Sequence, residues 1–237
     1  MASTPEGPPT VDIGRCFRFV IEDPDWIKKI LIGGAFTLAS SFIVGFFFVA
    51  GYWVRLLKRV AAAERRPLPE WDDLGGIFGD GVKVVGIYAV YLLAVMILLG
   101  GLGCVGGFVA FGIGGLGRGS ERASDALGAL GGLGFLGLYL AFVVLNLALS
   151  LYLPAAMARV AMRGEFKDGF DTRANVEFIR ANLVNYALSL VFYLVASFVG
   201  QFGFILCCVG VFPCAFWALL ILGYGLGETV RMNPRSV

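Results

Sequence analysis

Four long apolar runs dominate the chain: Ile30 to Trp53, Val82 to Gly117, Leu127 to Leu153 and Leu183 to Gly227. Each is long enough to cross ~30 Å of hydrocarbon as a helix, which takes about 20 residues. The charged residues are bunched between the runs and make up only 15% of 237 residues, where a soluble domain carries roughly a quarter. With 58% hydrophobic residues and a mean hydropathy of +0.82, the chain reads as an all-α, polytopic integral membrane protein.

What is missing narrows the function classes. A net charge of +2 without a continuous basic face points away from nucleic acid. There is no histidine, which removes histidine-based acid–base chemistry, the usual haem ligation and most zinc catalysis. The five cysteines (Cys16, Cys104, Cys207, Cys208 and Cys214) form no C-x-x-C, so neither a disulfide framework nor a metal site is expected. G-x-S-x-G is absent, and the Gly-rich stretches lack the preceding strand and G-K-[ST] of a phosphate loop. No catalytic residue and no cofactor is expected. "MASTPEGPPTVD" lacks the basic region and apolar core of a cleaved signal, so the first span is expected to target the chain itself.

Along the chain, residues 1–10 are a polar tail and 11–22 form an amphipathic interfacial helix. In "EDPDWIKKILIGG", Asp23 is expected to cap a helix that Pro24 begins. Trp26 then sits at headgroup level while Lys28 and Lys29 snorkel outward. After the first span, Pro67 and Pro69 end the helix, and Trp71, Leu74 and Phe78 recur as one face of a second interfacial helix. As a single helix, the 36 residues from Val82 to Gly117 would be ~54 Å long. Two short spans joined near Gly100, Gly101 and Gly103 are expected instead. "RGSERASD" (118–125) is a polar loop, a span follows to Leu153, and a further amphipathic connection carries Phe166, Phe170 and Phe178. Leu183 to Gly227 is a hairpin hinged near Gly200–Gly203 or Gly210–Pro213, giving six transmembrane helices, or five as the alternative.

An internal repeat supports this layout. At an offset of 100, Gly34, Leu38, Phe42, Val44, Tyr52, Arg59, Val60, Ala61, Phe78, Val84, Val95, Gly100 and Gly103 meet identical residues. Each copy reads span, basic extension, amphipathic connection, apolar hairpin, which divides the membrane part into residues 23–125 and 126–237. Three crossings per copy would make the two pseudo-repeats inverted. Orientation stays open, because six spans divide the basic residues eleven against eight and five spans divide them thirteen against six.

No Asp, Glu, Lys or Arg falls near mid-membrane on these limits, which is unlike most ion or proton transporters. Asn146 and Gln201 are the candidate intramembrane polar contacts. Gly103 and Gly107, Gly128 and Gly132, and Gly223 and Gly227 each form G-x-x-x-G, a spacing that lets helix backbones pack closely. Trp26, Lys28, Lys29, Trp71, Phe78, Phe170 and Phe178 are the expected membrane-interface residues.

The stretches "EDPDWIKKILIGG", "GYWVRLLKRV" and "ERRPLPEWDDLGGIFGDGVK" resemble the N-terminal signature of the domain-of-unknown-function 4013 family. Asp23, Pro24, Trp26, Gly51, Tyr52, Arg55, Pro67, Leu68, Pro69, Trp71 and Asp73 carry the likeness over roughly residues 12–90. The resemblance implies a multi-pass protein of a prokaryotic cytoplasmic (inner) membrane and assigns no functional residue. The glycine-lined helices, two aromatic interfacial connections and the absence of charge at depth make the expected function a non-enzymatic scaffold or accessory subunit, whose partners are the lipid bilayer and other membrane proteins or copies of itself. The alternative is a small-solute or lipid transporter built from inverted repeats.

Overall fold

The computed structural model describes residues 10–116, 121–205 and 209–237. Residues 1–9, Cys207, Cys208, Arg118 and the surroundings of Gly128 lie outside the described residues. Eight α-helices are found among those described: α1 (Ile13–Arg18), α2 (Trp26–Ala39), α3 (Val44–Ala61), α4 (Leu74–Leu116), α5 (Glu121–Arg163), α6 (Thr172–Ala181), α7 (Leu183–Gln201) and α8 (Val211–Met232). Among the described residues, four stretches are long and apolar enough to cross a membrane: Leu74–Cys104, Gly131–Arg163, Leu183–Phe204 and Val211–Met232. The chain divides into two compact units, one of residues 1–87 and 154–237, the other Tyr88–Leu153.

The first expected span is not one helix. It breaks after Ala39 into a short 3-10 turn, and Ile43 takes a φ of 69°, unusual for a β-branched residue. The chain then doubles back as α3. Phe36 stacks on Phe48 at 4.6 Å, and a side chain at Gly45 would strike the backbone of Phe36 and Ala39. Thr37 and Ser40 donate to the carbonyls of Gly33 and Phe36, so the hydroxyls near the reversal are satisfied locally. At 14 residues, α2 is about 21 Å long, too short to cross a bilayer core.

The α7–α8 hairpin forms as its glycines suggest, with α7 ending at Gln201 and α8 starting after Gly210. Gly200 faces Cys214, and Gly225 faces Ser189. α8 also runs alongside α3 in the same direction, since Gly223 meets Trp53 while Gly227 meets Leu57 and Val60. Both helices start at a reversal, so the two reversals lie at the same end of this unit. That end is apolar: Phe42 is 81% exposed and Phe204 64%, with Ile43, Phe202 and Val209 also exposed. No charged residue occurs from Ile30 to Val54 or from Ala181 to Gly227. The charges of both hairpins therefore gather at the opposite end.

α8 is the most enclosed helix of this unit. Phe216 fits against Gly33, Pro213 against Gly34, and Phe19 following α1 stacks on Tyr224 at 4.3 Å. α3 and α4 approach more closely still. A side chain on Gly51 would run into the carbonyl of Ile77, and one on Gly81 into that of Phe47.

In the Tyr88–Leu153 unit, α4 continues unbroken through Gly100, Gly101 and Gly103, where a junction between two spans was expected. Glycine costs a helix interior only about 1 kcal/mol relative to alanine, too little to open a helix whose backbone bonds have no competing water. α5 is likewise continuous from Glu121, shortening the expected polar loop. Tyr91 and Tyr152 share a hydroxyl–hydroxyl hydrogen bond of 3.1 Å. In contrast to the first unit, nothing described lies within 4 Å of where a side chain would begin at Gly107 or Gly132, and at Gly103 only Leu138 does, at 3.9 Å.

Gly51→Val should thus lower the stability of the detergent-purified chain by about 1–3 kcal/mol, the usual cost of overpacking. Gly132→Val should change it by well under that amount. Thermal unfolding of the two variants beside wild type provides the comparison.

Candidate functional site

The polar end of the first unit holds three clusters, each centred on a basic side chain. In the first, Lys29 is 3% exposed and its Nζ lies 2.9 Å from Asp23 Oδ2. Glu70, from the α3–α4 connection, pairs with the same ammonium, and the Leu68 carbonyl accepts from it at 3.4 Å. Burial acts to lower the Lys29 pKa, but the hydrogen bonds and charges of Glu70 and Asp23 outweigh it and the pKa is raised. Asp23 is therefore no helix cap. Its other oxygen accepts the Asp25 N–H, and α2 starts only at Trp26. Lys29 points inward, while Lys28 is exposed.

The second cluster explains the acidic residues around position 75. Arg55 donates from Nη2 to Asp73 at 2.7 Å and from Nε to Asp80 at 3.0 Å, and Lys58 lies 3.7 Å from Asp80. Asp73 also accepts the Gly76 N–H, capping the first turn of α4. The Arg55 bond, followed by the Gly76 N–H, holds the Asp73 carboxyl below its ordinary range.

Between these clusters runs the Pro67–Pro69 segment, clamped by side chains. The Tyr52 hydroxyl donates to the Pro69 carbonyl at 2.9 Å, and Arg59 donates to that of Leu68 at 3.3 Å. Trp71 stacks on Tyr52 at 4.4 Å and on Phe36 at 5.0 Å, while its Nε1 donates to the Lys29 carbonyl.

The third cluster is built on α5. Arg159 is 2% exposed; its Nη1 donates to Asn175 Oδ1 at 2.7 Å and to the Asp168 carbonyl at 3.4 Å. Asn175 in turn donates to the Gly169 carbonyl, and Asp171 caps α6 through the Ala174 N–H, so the connection is folded around the guanidinium. One turn further along α5, Arg163 donates to the main-chain oxygen of Val237 at 2.9 Å. Arg159, Arg163, Arg235, Asn233, Ser236 and Glu177 line an open recess of about 340 Å³.

The expected interface residues are placed as follows. Trp26 is half-buried, Phe78 packs on Phe47 and Phe48, and Phe170 meets Phe166 edge to face. Phe178 is buried against Tyr186. Lys29 and Phe178 are thus buried side chains of the first unit, and Trp71 is half-buried. Asn146, in the Tyr88–Leu153 unit, donates to the Phe142 carbonyl of its own helix. Gln201, in the other unit, lines a recess of about 220 Å³ with Tyr193, Ser197 and Leu219. Asn175 was not singled out by sequence; its only signal is an amide on an amphipathic connection.

Lys29→Met should destabilise the chain by about 3 kcal/mol, because it leaves the buried Asp23 without its partner. Adding Asp23→Leu should restore most of that loss, as a denaturation series on the two variants would show. Asp73 has a lowered folded pKa, so its contribution is present above the ordinary value of 3.8 and lost as pH falls through the lowered one. The stability gap between wild type and Asp73→Asn should close over that acidic window.

Comparison with known proteins comes out narrowly. A search of curated proteins returned no match, and neither did a search of solved structures. The family described as "Protein of unknown function (DUF4013)" matches residues 35–209, about three-quarters of the chain, from the end of α2 through α7 and including all of the second unit, but not α8. The chain belongs to the DUF4013 family.

Proposed function

We propose that this is a non-enzymatic integral protein of a prokaryotic cytoplasmic membrane, acting as a scaffold or accessory subunit for other membrane proteins or for copies of itself. The observation that carries this reading is the contrast between the glycines of the two units. In the first unit Gly33, Gly51, Gly81, Gly223 and Gly227 are filled by a neighbouring helix of the same chain. In the second, Gly100, Gly101, Gly106, Gly107, Gly131, Gly132, Gly134 and Gly137 have nothing described within 4 Å. Glycine on a membrane helix gives up lipid contact in exchange for the close approach of another helix. The large exposed side chains beside them, Met96, Ile97, Phe135 and Leu140 among them, fit an apolar surrounding.

The repeat has a structural echo that bears on the second reading, transport of a small solute or lipid. Arg59 Nη1 donates to the carbonyl nine residues later, and Arg159 Nη1 does the same 100 residues on. Duplication is therefore supported by a shared hydrogen bond as well as by identities.

Purification of the full chain in mild detergent from its native membrane, followed by native mass spectrometry, tests the leading reading. A stoichiometric membrane-protein companion or a homo-oligomer is expected, and Gly107→Leu with Gly132→Leu should weaken it without lowering thermal stability. A solitary monomer that retains a bound solute would overturn the scaffold reading in favour of transport.

A further inference from the structure

We propose that the recess around Arg159 is a binding site for a phosphate group, carried on a lipid headgroup or free in solution. Two buried side-chain nitrogens lack an acceptor among the described residues, Trp53 Nε1 and Arg159 Nε, and only the second belongs to a charged group. The acceptors that Arg159 does have, the Asn175 amide and the Asp168 carbonyl, are neutral. A guanidinium that is 2% exposed and has no carboxylate partner is costly unless an anion completes it.

The internal repeat shows what is missing. Arg59 makes the same main-chain bond as Arg159 and also pairs with Glu64 at 3.7 Å. The residue 100 positions after Glu64 is Gly164. The second copy has kept the arginine and its carbonyl but has no acid there, and the recess opens beside it. Arg163, four residues along the same helix, and Arg235, in the turn after α8, add two exposed guanidiniums to the lining. No side-chain carboxylate pairs with Arg159, Arg163 or Arg235 among the described residues. Glu177 is the one carboxylate side chain in the lining, against three guanidiniums, and Arg163 is already engaged by the Val237 main-chain oxygen at 2.9 Å, so Arg159 and Arg235 carry most of the unmatched positive charge.

Several guanidiniums converging from two elements suit a tetrahedral anion with three or more acceptor oxygens, to which arginine bonds in forked pairs. A volume of about 340 Å³ admits a phosphate together with the first atoms of the group that carries it. The site lies at the charged end of the unit, opposite the apolar reversals. This is the level at which headgroup phosphates would lie around a membrane-inserted chain.

The test uses the full chain in detergent with two probes, inorganic phosphate and vesicles of phosphatidylcholine doped with phosphatidic acid. Pure phosphatidylcholine vesicles are the control. Arg163→Gln/Arg235→Gln is the main variant, because both side chains are exposed; Arg159→Gln is the second. Binding is expected to weaken about tenfold or more in the double variant at unchanged unfolding temperature. Tight binding of the doped vesicles but not of inorganic phosphate assigns the site to a lipid, and binding of both in the same competition assigns it to phosphate in general. Failure of both probes to bind, or equal affinity in wild type and the double variant, would overturn the proposal. The outcome is separate from that of the scaffold reading, since a solitary monomer could still bind either probe.

Discussion

Close approach of backbones around α8 is the contact on which the first unit depends. Three α8 glycines each admit a different neighbour: Gly223 takes Trp53, Gly227 takes Val60, and Gly225 takes Ser189 of α7. On the α2 side the relation is reversed, and Gly33 and Gly34 yield to Phe216 and Pro213 of α8. Small residues thus sit opposite bulkier ones at these contacts of the helix. In an apolar solvent burial of hydrocarbon gives little net drive, so dispersion at short range has to hold such a bundle together.

The polar clusters follow from the same packing. Once α2, α3 and α8 are drawn together, their charged ends are brought level, and the connections must supply counter-charges there. Glu70 does so for Lys29, and Asp73 and Asp80 do so for Arg55. Trp71 then seals the connection against Tyr52 and Phe36. Arg159 is the exception, held by neutral groups and forming part of the wall of the recess.

Much of the helical layout was legible, because apolar runs of this length and the prolines at 67 and 69 leave few alternatives. The reversal at Ile43 was not. "SSFIVG" carries no proline, and its single glycine follows the turn, so nothing local marks a break; tertiary packing of α2 on α8 imposes it. Glycine misled in the other direction at Gly100–Gly103, where a helix without competing solvent simply continues. In the candidate site, Arg159 was visible as part of a basic extension. Its burial goes with the 165–175 segment folding around it, through the Asp168 carbonyl and Asn175, contacts that no spacing encodes. The exchange of Glu64 for Gly164, however, could be read from the offset alone.

Neither reversal of the first unit carries an ion, and this has a consequence for how such a chain would be assembled. Pushing a charged group through the bilayer centre costs about 2.5–3.5 kcal/mol on insertion scales. The Ala39–Val44 turn would carry no such toll, nor would any charged residue lie between Ala181 and Gly227 to add one. Each pair of arms can then slide in from a single side as a preformed loop, after synthesis and in either order, with both ends left in water throughout.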